Sequence, residues 1–256
     1  MIEDEIIGVI PARYGSTRFP GKPLALLGGK PIIQWVYERA SQSRKIKKLI
    51  VATDDERIFE RVISFGGDVM MTSPSIRNGT ERVAAVADTI NADIIVNIQG
   101  DEPLIQGNVI DTAIQLLIDD RDAVIGTLIK KINETEELIN PNLPKVVIDR
   151  SNNALYFSRS IIPFVRDVRD QQDWIREHQY FRHIGLYVYR NSFLKTYVTL
   201  PETRLEIVEK LEQLRVLEHG YKIKTAIVDY TPQGVDTPAD LELLENYLRE
   251  GFIEQH

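Results

Sequence analysis

The sequence predicts an α/β fold, with a mostly parallel sheet flanked by helices and a smaller α+β lobe. Short apolar runs alternate with segments of helical spacing as far as residue 130, and a basic loop rich in Gly and Pro follows the first run. Such alternation builds parallel sheets with right-handed crossovers. Because 256 residues are many for one domain and few for two, we expect one α/β domain with an appended lobe.

The elements of the first half follow one another in a regular order. Apolar runs predict four strands, at residues 6–10, 49–53, 69–72 and 94–98. Apolar residues at helical spacing predict three helices, one beginning near Pro31, one capped by Asp54 and one capped by Thr80. Open α/β sheets bind ligands at the carboxyl ends of their strands, so the loops that follow these strands form the candidate site.

Composition excludes several classes of protein. The chain contains no cysteine, which excludes disulfides, thiolate nucleophiles and cysteine zinc sites. Its formal net charge of −7 argues against general nucleic-acid binding, because backbone phosphates need a broad basic surface. The apolar runs are too short for membrane insertion and the N-terminus lacks the layout of a signal peptide, so we expect a cytoplasmic protein.

The loop after the first strand carries three cations, Arg13, Arg18 and Lys22. They lie among Gly and Pro residues, which suits a polyanion such as a triphosphate held against main-chain N–H groups. The loop is not a P-loop, because five residues separate its two glycines and Pro23 stands where the magnesium-binding hydroxyl belongs. A solvated basic loop is the alternative, and the concentration of cations at one strand end favours ligand binding.

Two further loops carry candidate binding residues. Residues 77–82 precede a helix, so a ligand group near Gly79 would meet free N–H groups at a positive helix end, although such a turn is usually only a cap. Asp101 follows the fourth strand in a turn limited by Gly100 and Pro103, where a carboxylate can hold a metal that bridges phosphates. A tight-turn Asp that accepts backbone hydrogen bonds is the alternative.

The second half has a less regular pattern. It predicts, in order, a hairpin at 145–148 and 154–157, an exposed mobile loop at 166–182, a strand at 183–189, one long helix at 205–217 with mostly solvated glutamates, and a strand at 223–227. Arg159 follows the hairpin, and the sequence allows two roles for it, a binding residue or an internal salt-bridge partner. A lone His on a strand, such as His183, is more often structural than catalytic. Thr237 and Asp240 predict an N-cap for the last helix.

Eight motifs occur in a fixed order along nearly the whole chain. They are PARYGSTRFPGKPL (11–24), NGTER (78–82), NIQGDEP (97–103), KVV (145–147), ALYFSR (154–159), RHIG (182–185), LEQLR (211–215) and GVDTP (234–238). With these motifs the chain resembles the 3-deoxy-manno-octulosonate cytidylyltransferases, also called CMP-Kdo synthetases. The YFSR and LEQLR segments are the most particular to that family.

The resemblance implies a Rossmann-like nucleotidyltransferase fold and an enzyme that uses Mg²⁺ to couple CTP to the sugar acid Kdo. The products would be CMP-Kdo, for lipopolysaccharide biosynthesis, and pyrophosphate. Family members act as homodimers in the cytoplasm. Carried over by position, the implied roles are Arg13, Arg18 and Lys22 at the triphosphate, Asn78, Gly79 and Arg82 near the nucleotide, Gln99 between sugar and nucleotide, Asp101 and Asp236 on Mg²⁺, and Arg159, His183, Tyr187, Glu212 and Gln213 around the sugar acid.

The resemblance also implies a division of the chain. Residues 1–130 with 220–256 are expected to form the nucleotide-binding α/β core, and residues 131–219 the smaller sugar-binding and dimerisation lobe. A shift to Glu-rich and Asn-Pro-rich sequence at 130–142 indicates the same entry to the lobe.

The central hypothesis is that Asp101 and Asp236 converge on one divalent cation facing the basic loop, with Arg13 and Lys22 as the other catalytic residues. For Asp236, a turn residue before the last helix is the alternative. The sequence leaves open whether the substrate is Kdo, its 8-amino analogue or another sugar acid. A dinucleotide-dependent oxidoreductase is disfavoured because Gly-x-Gly-x-x-Gly is absent, and a non-catalytic nucleotide sensor would not need both aspartates.

Overall fold

The computed structural model describes residues 4–15, 18–76 and 78–250. Ser16, Thr17 and Arg77, which belong to the predicted binding loops, lie outside the described residues. The chain forms two compact units, one made of Met1–Asp111 with Pro232–His256 and the other of Thr112–Thr231. In the part that the structure describes, no helix is both long enough and apolar enough to cross a membrane.

The described residues form the following elements. The strands are β1 (Ile6–Ala12), β2 (Leu26–Leu27), β3 (Lys30–Pro31), β4 (Lys48–Thr53), β5 (Asp68–Met71), β6 (Ile94–Asn97), β7 (Ile125–Lys131), β8 (Lys145–Ile148), β9 (Ala154–Ser158), β10 (Phe181–Arg190) and β11 (Ile223–Ile227). The helices are α1 (Ile32–Ala40), α2 (Glu56–Ser64), α3 (Gly79–Ala87), α4 (Gly107–Asp119), α5 (Thr135–Ile139), α6 (Trp174–Glu177), α7 (Asn191–Tyr197), α8 (Arg204–Glu209), α9 (Gln213–Glu218) and α10 (Pro238–Arg249).

The first unit contains a parallel sheet in the strand order β5-β4-β1-β6. Its central strand is buried on both faces, since neighbouring side chains of β1 point to opposite faces and both Val9 and Ile10 are 0% exposed. Continuous apolar runs, rather than alternating ones, are what such doubly covered strands require. All four strands predicted in this half are therefore present.

Two predicted helix caps are wrong by one or two positions. Asp55, not Asp54, caps α2, and Asn78, not Thr80, caps α3. Asp, Asn and Thr are all good caps, so composition does not choose between close neighbours. The choice is made by tertiary contacts, because Asp54 forms an ion pair with Arg82 and Thr80 is buried inside α3.

The second unit is built on a mixed sheet. Strand β7 pairs with β11 in parallel and with β10 antiparallel, and β8 pairs with both β10 and β9 antiparallel. The predicted hairpin is β8 and β9. Because β7 and β11 pair with each other, the compact unit runs from Thr112 to Thr231 and is wider than the predicted lobe at 131–219. The function assigned to that lobe stays a prediction.

The segment at 166–182 is more buried than the predicted exposed loop. Trp174 and Tyr180 are 3% and 1% exposed and pack in a small core with Ile132 and Leu138. The indole N–H of Trp174 donates to the carbonyl oxygen of Val168 at 2.9 Å. The charged side chains of the segment lie at its surface, whereas Trp174 and Tyr180 anchor it in the core of the unit.

The predicted single helix at 205–217 is instead two short helices. Lys210 adopts a left-handed conformation (φ 53°, ψ 46°) and ends α8, and α9 begins at Gln213. Glu206, predicted to be solvated, is 9% exposed and accepts two hydrogen bonds from Arg215, at 2.7 and 2.6 Å. Helical periodicity identifies the faces of a helix but not what packs against them.

Replacing Arg215 with Met is expected to lower the free energy of unfolding by about 3–5 kcal/mol, because Glu206 would stay buried without its partner. Urea denaturation of both proteins measures the difference. The matched control is Arg176→Met, whose ion pair with Asp173 is at the surface and is expected to contribute less than about 1 kcal/mol. Equal losses in the two variants would contradict a stabilising role for the buried pair.

Candidate active site

A pocket of about 310 Å³ lies at the carboxyl ends of the strands of the first unit. Three loops form it, those after β1 and β6 and the one before α10, together with the N-terminus of α3. The lining residues are Pro11, Ala12, Arg13, Arg18, Lys22, Pro23, Asn78, Gly79, Arg82, Gln99, Gly100, Asp101 and Asp236. All nine residues that the sequence predicted for the nucleotide and the metal are among them.

The loop after β1 is anchored around Tyr14. Gly21 has φ 74°, a value that L side chains rarely adopt, and its N–H donates to the carbonyl oxygen of Tyr14 at 2.9 Å. The guanidinium carbon of Arg57 lies 3.3 Å from the centroid of the Tyr14 ring. Arg57 itself is held by the carboxylate of Asp55 at 2.6 Å. These contacts tie Tyr14 to Gly21 and to the start of α2.

Two backbone features position the loops that carry Asp101 and Asp236. The N–H of Val235 donates to the carbonyl oxygen of Asp101 at 2.8 Å, which joins the loop after β6 to the loop before α10. A Cβ atom at Gly100 would lie 2.6 Å from the carbonyl oxygen of Pro11. Only glycine therefore allows the β6 loop to lie against the end of β1.

Lys22 lies between the two carboxylates. Its Nζ is 2.6 Å from Oδ2 of Asp101 and 3.2 Å from Oδ1 of Asp236, and Nη1 of Arg18 is 3.0 Å from Oδ2 of Asp236. The two acids thus converge on the ammonium group of Lys22, which belongs to the basic loop. Their role as metal ligands stays a prediction.

The opposite wall of the pocket is formed by α3. Arg82 is 2% exposed and its guanidinium is oriented by Asp54, at 2.8 Å, and by the hydroxyl of Thr72. Asn78 uses its side chain to cap the helix, accepting from the backbone N–H of Glu81 at 2.8 Å. The sequence did not predict Asp54 or Thr72 as supports. Their positions directly after β4 and β5 could have identified them, because ligands of α/β sheets bind at these strand ends.

The predicted sugar-binding residues all lie in the second unit. Nε2 of His183 is 2.9 Å from the hydroxyl of Thr127, and its ring packs against those of Phe157 and Tyr187. Burial lowers the pKa of His183 to about 3, so the imidazole is neutral at physiological pH. Burial also raises the pKa of Tyr187, with a further contribution from the charge of Glu212.

The other three predicted sugar-binding residues differ in the hydrogen bonds that they form within the protein. They are Arg159, Glu212 and Gln213. The guanidinium of Arg159 donates to the carbonyl oxygens of Pro141 and Glu209, at 3.0 and 2.7 Å, and to no carboxylate within the described part of the chain. Glu212 accepts from the hydroxyl of Tyr197 at 3.1 Å. Gln213 is 4% exposed, and its amide nitrogen has no hydrogen-bond partner among the described residues.

Comparisons with known proteins agree with this geometry. Residues 7–223 match the cytidylyltransferase family model, so the chain is an enzyme of the nucleotidyltransferase class. It is 48% identical to the 3-deoxy-manno-octulosonate cytidylyltransferase of Solibacter usitatus over 250 residues, covering 98% of this chain and 97% of that protein. It is 50% identical to the protein of the same name from Thermodesulfovibrio yellowstonii, covering 94% and 97%. The chain therefore belongs to the 3-deoxy-manno-octulosonate cytidylyltransferase family, which confirms the resemblance.

Solved structures confirm the predicted fold class. A CMP:2-keto-3-deoxy-manno-octonic acid synthetase complexed with CTP superposes with a TM-score of 0.91 at 42% identity, covering 96% of this chain and 99% of that one. The 4-diphosphocytidyl-2C-methyl-D-erythritol synthase of Anaerococcus prevotii, at 12% identity, covers 96% and 99% with a TM-score of 0.62 and shares the fold alone.

Proposed function

We propose that this enzyme couples CTP to Kdo, forming CMP-Kdo and releasing pyrophosphate. The observation that carries the proposal is the pocket in which Asp101 and Asp236 converge on the ammonium group of Lys22, a residue of the basic loop. Family membership supplies the choice of substrates, since the relatives are named for this reaction. The enzyme would act in the cytoplasm, and its product would feed lipopolysaccharide biosynthesis.

The nucleotide is assigned to the pocket of the first unit. Arg13, Arg18 and Lys22 would bind the triphosphate through charge-assisted hydrogen bonds. Gly79 lies at the N-terminus of α3, where the backbone N–H groups and the helix dipole favour an anion, and the guanidinium of the buried Arg82 is held in the same wall by Asp54. Asn78 would lie near the nucleotide and Gln99 where nucleotide and sugar meet.

The sugar acid is assigned to Arg159, His183, Tyr187, Glu212 and Gln213. The buried amide nitrogen of Gln213 supports this assignment, because a buried donor without a partner is costly unless a ligand binds it. A neutral His183 can exchange hydrogen bonds with hydroxyl groups while Thr127 orients its ring. With a pKa of about 3 it is a weak base, so we assign it contact with the sugar and not proton transfer.

Mg²⁺ is the cofactor that the donor set fits. Asp101 and Asp236 already bind one cationic group, and Mg²⁺ prefers one or two carboxylates completed by phosphate and water oxygens. No group of three or more side chains that could hold a metal occurs in the described ranges, so phosphate and water oxygens would have to complete the coordination. When bound, Mg²⁺ would neutralise phosphate charge and lower the pKa of a coordinated hydroxyl.

The reaction would be an in-line displacement at the α-phosphorus of CTP. The anomeric oxygen of Kdo forms a bond to this phosphorus, and the bond from phosphorus to the bridging oxygen breaks. The electron pair of that bond leaves with pyrophosphate, and the hydroxyl proton passes to water. Lys22 and Arg13 would bind the departing pyrophosphate, so their positive charges favour the transition state. The contacts of Tyr14 with Gly21 and Arg57 would help to hold both cations in place before the substrates bind.

A panel of substrates tests the proposal. The purified protein is mixed with Mg²⁺ and with each of four nucleoside triphosphates, in combination with Kdo or its 8-amino analogue, and pyrophosphate is measured. We expect release with CTP and Kdo. Release with CTP and the 8-amino analogue alone would identify the alternative sugar acid. CTP binding without pyrophosphate release from either sugar acid would indicate a nucleotide sensor and contradict the proposal.

We further propose that the enzyme is a homodimer that associates through α8. This six-residue helix exposes three apolar side chains, Leu205, Ile207 and Val208, and Val208 is 81% exposed. Concentrated apolar exposure of this kind is typical of an interaction surface.

Replacing Val208 with Asp is expected to convert the dimer to a monomer at micromolar concentration, because a charge would be buried in the interface without a partner. Sedimentation velocity measures the change. The matched control is Ile63→Asp, which alters an exposed apolar residue of α2 in the first unit. A dimer that persists unchanged in the Val208→Asp variant would reject this surface as the interface.

A further inference from the structure

Glu209, the last residue of α8, contacts the end of strand β9. Its Oε1 accepts hydrogen bonds from the hydroxyls of Ser158, at 2.6 Å, and Tyr156, at 3.5 Å. Its Oε2 accepts from the backbone N–H of Arg159 at 2.9 Å. One carboxylate therefore binds three donors from four consecutive residues at the end of the β8–β9 hairpin.

The contact also runs in the opposite direction. Nε of Arg159 donates to the carbonyl oxygen of Glu209 at 2.7 Å, and its Nη2 donates to that of Lys210 at 3.4 Å. A guanidinium has five N–H donors in a fixed planar arrangement. Because these bonds fix the plane of the group, the direction of the remaining N–H groups of Arg159 is set by the end of α8.

The same corner determines where the next residues lie. Lys210 is in the left-handed conformation, so the chain turns sharply between α8 and α9, and Leu211 is buried directly after the turn. Glu212 and Gln213 follow at the start of α9. A non-glycine residue in this conformation is strained and persists only where surrounding contacts hold it. The bonds from β9 to Glu209 and Lys210 are such contacts.

We propose that Glu209 is a positioning residue for the sugar acid. It links Arg159 on the hairpin to Glu212 and Gln213 after the turn. The inference rests on the proposed function, because these three residues are among those assigned to the sugar. A carboxylate is needed at this position, since a single group has to accept from a hydroxyl and from a backbone N–H on separate oxygens. An amide offers only one acceptor oxygen.

A kinetic comparison of variants tests the inference. Glu209→Gln keeps the length of the side chain and one acceptor, and it is expected to raise the KM for Kdo about tenfold, while the KM for CTP changes less than about twofold. Glu209→Ala is expected to raise the KM for Kdo further. Ser158→Ala removes one of the same bonds from the other partner and is expected to act in the same direction. The matched control is Glu218→Gln, an exposed residue that accepts from the backbone N–H of Leu205 at the other end of α8.

The possible outcomes separate positioning from simple stabilisation. A merely structural Glu209 would lower the thermal midpoint and the active fraction but leave both KM values unchanged, which would overturn the inference. Equal increases in the KM for CTP and the KM for Kdo would also overturn it. The unaltered enzyme could release pyrophosphate while the Glu209 variants have the same KM for Kdo as the Glu218 control. That result would overturn the inference and leave the proposed function standing. No release from CTP and Kdo by the unaltered enzyme would reject both proposals.

Discussion

Replacing Asp101 with Asn is expected to lower kcat by at least about 10³-fold while the protein stays folded. The Asn side chain has nearly the same shape and retains the backbone carbonyl oxygen that accepts from Val235, so the loop geometry is preserved. What is lost is one of the two negative charges that converge on the cation position. Steady-state pyrophosphate release measures kcat, and a thermal denaturation curve checks the fold.

The control for this variant separates loss of the site from loss of any surface carboxylate. Asp68→Asn removes a carboxylate of the same unit that lies 3.9 Å from Lys48 at the surface, and it is expected to leave kcat unchanged. A second measurement follows kcat as Mg²⁺ is raised. If the Asp101→Asn variant turned over at the rate of the unaltered enzyme at every Mg²⁺ concentration, the assignment of Asp101 as a metal ligand would be wrong.

The sequence predicted the location of the pocket well, and the reason is physical. Parallel strands end at one edge of a sheet, so the residues after β1 and β6 had to lie near each other. Arg13, Lys22 and Asp101 were therefore placed together by strand periodicity and chain order alone. Asp236 was not, because nothing in the local pattern reports the hydrogen bond between Val235 and Asp101 that brings it there. Its place came from the resemblance to a family.

The second half was predicted less well, because its structure depends on contacts between distant segments. Helical spacing predicted one helix with solvated glutamates, whereas Glu206 pairs with Arg215 and Glu209 binds the end of β9. A left-handed Lys210 has no sequence signature comparable to that of glycine. The buried Trp174 shows the same effect, since the charged residues around it dominate the local composition.

Lys22→Met is the second variant with a large expected effect. Lys22 has a mostly buried side chain whose ammonium forms ion pairs with both Asp101 and Asp236, and we assign the same charge to the departing pyrophosphate. Methionine keeps the buried apolar stem and removes the charge, so kcat is expected to fall about 10²- to 10³-fold.

The same substitution is expected to strengthen metal binding in the absence of nucleotide. Without the ammonium, Asp101 loses its cationic partner while Asp236 keeps Arg18, and a divalent cation no longer has to displace Lys22 in order to bind the two carboxylates. Calorimetric titration of the nucleotide-free protein with Mn²⁺ measures this affinity independently of turnover. Lys30→Met, which removes a lysine paired with Glu38 outside the pocket, is the matched control and is expected to change neither quantity. If Lys22→Met lost activity without gaining Mn²⁺ affinity, the two carboxylates would not form the cation site, and Lys22 would act on the phosphates alone.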